Sequence, residues 1–432
     1  MLRPIGVTLI ASLVMASPLA MGAVTDEEFA ALRADLAALT QRLDALATEN
    51  AQLKEQTGQT VVMAQEASEK IVAVEAASAG RSWADRISID GDFRYRYENI
   101  DVQDKDERNR SRVRARINTR AQLPGKVEVG VGLATGGDDP VSANQTLGAG
   151  GSSKNVALNL AYADWNAAEG LHLIAGKFKN PLVRVAENPL MWDGDWTPEG
   201  LAAKYQRGWF FANALGTWLE SDSTGGNSNF SWGGQLGATG KLGGMTLTGG
   251  VGYFAIKTKG DQTYFGDTTD PGDFFGNTTV EIGTGAACGT NAGNECVYLY
   301  DYKLTEIFAE AAFDLGSFPT VVFFDATNNS DPSDNDTSWK LGTRIGKAKD
   351  FNQWQFSYWY AEKEADSLFG LLTDSDWAGG GTDNEGHFFK VQAGINKNWT
   401  VGVQYFMNEI DIASGSKQDY DRVQLETQWK YK

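Results

Sequence analysis

The sequence predicts an all-β transmembrane barrel of about sixteen antiparallel strands, fourteen to eighteen, preceded by an N-terminal α-helical coiled coil. Three observations predict it. Arginines recur at every second residue of one segment. Short and long polar links alternate through roughly the last 350 residues, as tight turns and longer loops do in such barrels. Leucines near the N-terminus follow a 3-4 spacing.

The chain opens with the layout of a secretory signal peptide over residues 1–23. Arg3 precedes an apolar stretch from Ile5 to Ala16, and small residues end in Ala20-Met21-Gly22-Ala23, with cleavage expected after Gly22 or Ala23. The alternative, a membrane anchor, needs a longer apolar core than this. Beyond it no run reaches the roughly 18 apolar residues of a spanning helix, so an exported chain that crosses a membrane must cross it as strands.

Residues 24–82 are expected to form a periplasmic coiled coil and linker. Leu32, Leu36, Leu39, Leu43, Leu46, Asn50 and Leu53 fall on a and d positions of a heptad. The stripe is too thin for a lone helix to gain much by burying it, which points to oligomerisation; an amphipathic helix lying on the barrel is the other reading. Leucine at both positions leaves the strand number open.

From Trp83 the period changes from 3.5 to 2, and residues 83–432 are expected to form the barrel. Arg110, Arg112, Arg114, Arg116 and Arg120 share one strand face, with Val113, Ala115, Ile117 and Ala121 on the other. The preceding run places Asp90, Asp92, Arg94, Arg96 and Glu98 opposite Ile87, Ile89, Phe93, Tyr95 and Tyr97. An arginine facing lipid near the midplane costs roughly 2–4 kcal/mol. Five on one strand would cost on the order of 10–20 kcal/mol, comparable to the stability of a whole domain. The ladder must therefore face a charged, water-filled lumen. A soluble sandwich, the bland alternative, would rarely need so many antiparallel hairpins with polar faces.

Composition narrows the rest. The net charge of -18 excludes a nucleic-acid partner, which wants a basic footprint. The two cysteines, Cys288 and Cys296, lie in a polar, Gly-rich stretch and are expected to pair as a loop staple. With only His172 and His387 as imidazoles, no Gly-x-Ser-x-Gly elbow and no His/Cys cluster of metal spacing, neither an enzyme nor a metal or cofactor is expected.

The run Ile87 to Glu98, the ladder Arg108 to Arg116, Asn144 to Leu147, Leu158 to Trp165, Gly176 to Pro181, Trp192 and Thr197 to Gly200 resemble the bacterial "putative porin" family, similar to general trimeric porins. The resemblance implies a homotrimeric outer-membrane porin in a Gram-negative envelope, in contact with lipid and lipopolysaccharide. It also implies passive diffusion of small hydrophilic solutes and ions. Such barrels usually end on an aromatic residue, whereas here Lys432 follows Tyr431.

Porins of that type narrow the barrel by folding an outer loop inward. The third long link, Asn180 to Pro198, is read as the most apolar of the long loops and is the constriction candidate. Its Asp193 and Asp195, with Glu199, are expected to oppose Arg94, Arg96, Arg112, Arg114 and Arg116. The lumen faces read as net basic, which suggests weak anion preference. The acidic excess, including Asp374 to Asp383, is read as solvated outer loop. A plugged lumen is disfavoured because it would need many acids matched to the ladder. The competing function is an envelope tether, with the coiled coil bound to peptidoglycan or a periplasmic partner.

Overall fold

The computed structural model describes residues 83–187, 190–221 and 229–432, together with part of residues 30–69. The chain divides into two compact units, Met1–Gly80 and Arg81–Lys432. In the first unit the described residues are helical and exposed, with Leu46 and Leu53 each 52% accessible. Thr48 Oγ1 donates to the Asp44 carbonyl one turn back at 2.8 Å, as hydroxyls on exposed helices do. Leu32, Leu36, Leu39, Leu43 and Asn50 lie outside the described residues, as does the expected signal peptide.

The second unit is a closed antiparallel barrel. Among the described residues it has sixteen long strands: β1 (Ile87–Val102), β2 (Arg108–Leu123), β3 (Val127–Thr135), β4 (Val156–Ala168), β5 (Leu171–Lys177), β6 (Glu199–Arg207), β7 (Phe210–Glu220), β8 (Asn229–Leu242), β9 (Met245–Ile256), β10 (Tyr302–Leu315), β11 (Phe318–Asn329), β12 (Thr337–Gly346), β13 (Trp354–Lys363), β14 (Asn384–Asn396), β15 (Trp399–Ile410) and β16 (Gln418–Tyr431). Each pairs with the next, and β1 closes on β16 from Gly91–Tyr431 to Val102–Tyr420, so no long strand is left as an edge.

One end of the barrel carries tight turns. Gly208 (φ 62°) and Gly243 (φ 59°) supply the positive φ that two-residue hairpins demand. The other end carries the long links, of which 257–301 is the longest. The alternation read from sequence has one exception. The link 347–353 on the turn end is as long as 330–336 and 411–417 on the loop end. β13 begins only at Trp354, and Gly394 N bonds to the Gln353 carbonyl just ahead of it.

Outward side chains form the apolar band a bilayer requires. Ile89, Val131, Leu158, Leu201, Leu236, Val251, Val322, Leu341 and Leu425 are all exposed. Aromatics flank the band: Trp399 stacks on Trp429 near the turn end, and Trp218 meets Phe230 edge-on near the loop end. Among the described residues no helix is long and apolar enough to cross a membrane.

The interior departs from the expected wholly polar lumen. Phe211, Phe308, Phe323, Trp359, Phe388 and Phe406 point inward and pack with Val185 and Trp377 from two loops. A second cluster joins Phe178, Leu182, Trp192 and Trp196 to Phe254, Phe274, Tyr298, Phe369 and Leu372. Charge lines one wall; apolar side chains and inward-folded loops fill much of the other.

Candidate functional site

The charged wall is built by register. In the β1–β2 pair Arg94 faces Arg114, Arg96 faces Arg112 and Asp92 faces Arg116; across β16, Arg96 faces Glu426 and Glu98 faces Gln424. Like charges directly opposed are destabilising, so the acids that interleave them set whether the wall can form. Arg114 Nη2 and Arg116 Nε donate to Asp92 at 2.7 and 2.6 Å. Arg422 Nη2 donates to Glu98 at 2.9 Å and Arg96 Nη2 to Glu426 at 3.0 Å. Glu98 also takes Arg110, Glu426 takes Lys390, and Asp90 takes Arg120. Arg96 and Arg422 are 2% and 1% accessible, a depth that charge tolerates only when paired.

Two loops complete the network. The 178–198 loop enters the barrel and spans it. At one end Asp195 Oδ1 accepts from Arg116 Nη1 at 2.9 Å, and both its oxygens lie 3.2 Å from Arg114 Nη1. At the other, Val183 N donates to Gln235 at 2.8 Å, Ala186 N to Glu310 at 2.6 Å, and the Ala186 carbonyl accepts from Arg344 at 2.9 Å. The stacked pair Trp192–Trp196, centroids 4.7 Å apart, anchors its middle.

The 364–383 loop also folds inward. Asp376 accepts from Arg96 Nη1 at 2.6 Å and from Arg422 Nη2 at 2.8 Å. Trp377 Nε1 donates to Asn384 at 2.6 Å. The two loops are joined to each other: Asp193 N donates to the Leu372 carbonyl at 2.8 Å, and Ser375 N donates to Asp193 Oδ2 at 3.1 Å.

The pairs place nine cations (Arg94, Arg96, Arg110, Arg112, Arg114, Arg116, Arg120, Lys390 and Arg422) among six carboxylates (Asp90, Asp92, Glu98, Asp195, Asp376 and Glu426). Arg94 and Arg112 are the most loosely paired of the nine, with their nearest carboxylates at 3.9 and 3.8 Å. Their guanidiniums donate instead to neutral Asn144 and Ser142 of the 136–155 loop, at 2.7 and 3.2 Å.

Two cavities border Asp195 of this network. One, of about 630 Å³, opens at the loop end and carries Asp138, Asp139, Glu199 and Lys177. The other, of about 730 Å³, opens at the turn end and carries Arg116, Lys179, Arg184, Lys397, Lys430 and Lys432 beside Asp90 and Asp92. They share Asn159, Asp195 and Thr197, which mark the neck between an acidic and a basic chamber.

Electrostatics sort the four loop carboxylates into two kinds. Burial alone would raise Asp195 and Asp376, but the facing guanidiniums outweigh it and hold both below the usual carboxylate range. Among the described residues no cation forms an ion pair with Asp193 or Asp374, and Lys363 and Lys340 lower Asp374 only from a distance. Burial, and then the neighbouring carboxylates, push both upward.

Of the three constriction candidates, only Asp195 touches the ladder. Asp193 joins the two loops, and Glu199 begins β6, exposed, with Lys177 Nζ at 2.7 Å. Asp374 and Asp376, read as solvated outer loop, lie inside because the Leu368–Leu372 run and Trp377 carry them down. That apolar run was the available signal. Asp195 and Asp376 add two acids to the four on the strands, fewer than the nine cations that a sealed barrel would have to match. Cys288 and Cys296 form a disulfide in the 257–301 loop. His172 pairs with Asp164 and His387 with Tyr358, far apart along the chain. Among the described residues no cluster of three or more His, Cys, Asp or Glu could hold a metal ion.

The family model described as putative porin matches residues 99–254 and 291–431. No curated protein matches the sequence. Among solved structures, the high-pH structure of Pseudomonas putida OprB is similar, with a TM-score of 0.54 at 12% identity, over 81% of this chain and 95% of that one. Salmonella typhi OmpF in complex with daunomycin gives 0.50 at 12% identity, over 81% and 99%. At such identity the likeness is one of fold.

Proposed function

Because the chain belongs to the putative porin family, we propose that it is an outer-membrane channel for passive diffusion of small hydrophilic solutes and ions, weakly selective for anions. One observation carries the reading: a closed barrel with an apolar exterior encloses a wall on which nine cations outnumber six carboxylates. Arg94, Arg96, Arg110, Arg112, Arg114, Arg116 and Arg120 are the proposed pore-lining residues, and the 178–198 loop with Asp195 is the proposed constriction. The fixed charges face one another across a narrow path, so polar solutes are oriented and apolar ones penalised, while the positive excess raises the local anion concentration.

The turn end is assigned to the periplasm and the loop end to the outside, the usual arrangement of such barrels. The exported chain is proposed to lose residues 1–23 and to assemble as a homotrimer, as the family resemblance implies, with residues 24–82 as a periplasmic coiled coil and linker whose heptad spacing supports an oligomer. Lipid and lipopolysaccharide are then its surroundings, with peptidoglycan a further contact for the coiled coil.

The test is single-channel conductance of the full chain in a planar bilayer, with reversal potential in a salt gradient. Openings in groups of three and a reversal potential of anionic sign support the reading. Neutralising Arg112, Arg114 and Arg116 with glutamine should move that potential toward cations. Folded protein that never conducts would overturn the channel.

A further inference from the structure

We propose that the Arg114–Arg116 fork at the neck is a binding subsite for the carboxylates of permeating solutes, and that Asp195 occupies it in the resting channel. The inference rests on the channel reading and names the solute class that the neck would recognise.

The fork has the donor geometry of a carboxylate site and holds a carboxylate now. Arg114 Nη1 reaches both oxygens of Asp195 at 3.2 Å, and Arg116 Nη1 reaches Oδ1 at 2.9 Å. Planar guanidiniums sharing two oxygens discriminate this group from a point anion such as chloride. The fork is held independently of its occupant. Asp92 accepts from Arg114 Nη2 and Arg116 Nε at 2.7 and 2.6 Å, and Gln428 Nε2 holds Asp92 at 2.7 Å. Removing Asp195 therefore leaves two oriented guanidiniums rather than a collapsed site.

The occupant sits near the β6 end of the 178–198 loop beside exposed Gly194, and it borders both cavities. A solute in the turn-end chamber meets Arg116 of the fork directly, and one in the loop-end chamber meets Asp195 first. Arg116 itself lines the turn-end chamber, whose Arg184, Lys179, Lys397, Lys430 and Lys432 concentrate anions before they arrive. Asp195 acts as a tethered competitor at high effective concentration. It prevents a tight solute from lodging permanently, since conduction requires sites weak enough to leave.

The experiment uses the full chain in a planar bilayer in potassium chloride, with potassium acetate added to one side. Wild-type current should fall saturably with acetate, at lower concentration from the turn side. In Asp195→Asn the competing charge is gone, and the half-blocking concentration should drop about tenfold if Asp195 fills the site about nine-tenths of the time. Arg116→Gln in the wild-type background should raise it, which keeps the test valid if the Asn variant fails to insert. Current that falls only in proportion to chloride replaced, without saturation, overturns the subsite while leaving the channel intact. Phosphate blocking Asp195→Asn at lower concentration than acetate overturns the carboxylate assignment. Loss of conduction in the wild type itself removes the channel reading, a result distinct from both.

Discussion

Asp376→Asn tests whether the 364–383 loop is latched into the barrel by charge. The carboxylate bridges Arg96 at 2.6 Å and Arg422 at 2.8 Å, and the substitution keeps its volume while removing its charge. Removing one partner of a buried ion pair outright costs about 3–5 kcal/mol. Here the guanidiniums are not orphaned: Arg96 retains Glu426 at 3.0 Å and Glu98 at 3.4 Å, and Arg422 retains Glu98 at 2.9 Å. The loss from docking should therefore be nearer 2–3 kcal/mol, a shift of roughly 30- to 150-fold toward the released loop. Trp377, bonded to Asn384, still holds the adjacent residue, so excursions rather than permanent release are expected. Single-channel records should show excursions to a higher conductance level that are rare in the wild type. The reversal potential should also move toward anions, since the wall gains a net positive charge. Unchanged open-level statistics, or a shift toward cations, would refute a charge-held loop.

Three further outcomes follow from the same geometry. Asp193 and Asp374 carry raised values, from burial first and neighbouring carboxylates second. The folded state therefore binds their protons more tightly than the unfolded chain, whose carboxyls titrate near pH 4. Their contribution is fully present below that value and is lost as pH rises toward the raised folded value. Thermal unfolding at pH 5 and pH 8 should differ less in Asp193→Asn than in the wild type; an equal difference removes Asp193 as its source. Because the loop-end chamber is acidic and the turn-end chamber basic, ions of both signs accumulate at the neck when the loop side is positive. Current should be larger at that polarity, and Asp138→Asn with Asp139→Asn should reduce the asymmetry. On the outer face, Val251→Arg places a charge in the middle of β9, where it is 54% accessible. It should lower stability in lipid by about 2–4 kcal/mol, measured as urea-dependent unfolding in vesicles; no loss would mean that face does not meet the bilayer.

The sequence by itself determined the barrel and the sidedness of its strands. Period-2 alternation is a local property, and the lipid cost of five arginines on Arg110–Arg120 leaves one orientation, so both could be read without contacts. Turn placement was local too, except at 347–353, a turn-end link as long as two of the loop-end links. The acids that would meet the arginines could be read only in part. Asp92 and Glu98 were visible as ladder neighbours on β1. Asp195 lies 81 residues from Arg114, and Asp376 lies 280 from Arg96. Their meeting depends on loops returning into an interior that exists only once sixteen strands have closed. Asp374 and Asp376 therefore read as solvent-facing acid, although Leu368 to Leu372 already marked a segment that gains by burial. Tertiary structure decided that charge lines one wall and apolar loops fill the other, because only a closed barrel supplies a desolvated interior in which those two kinds of side chain must sort.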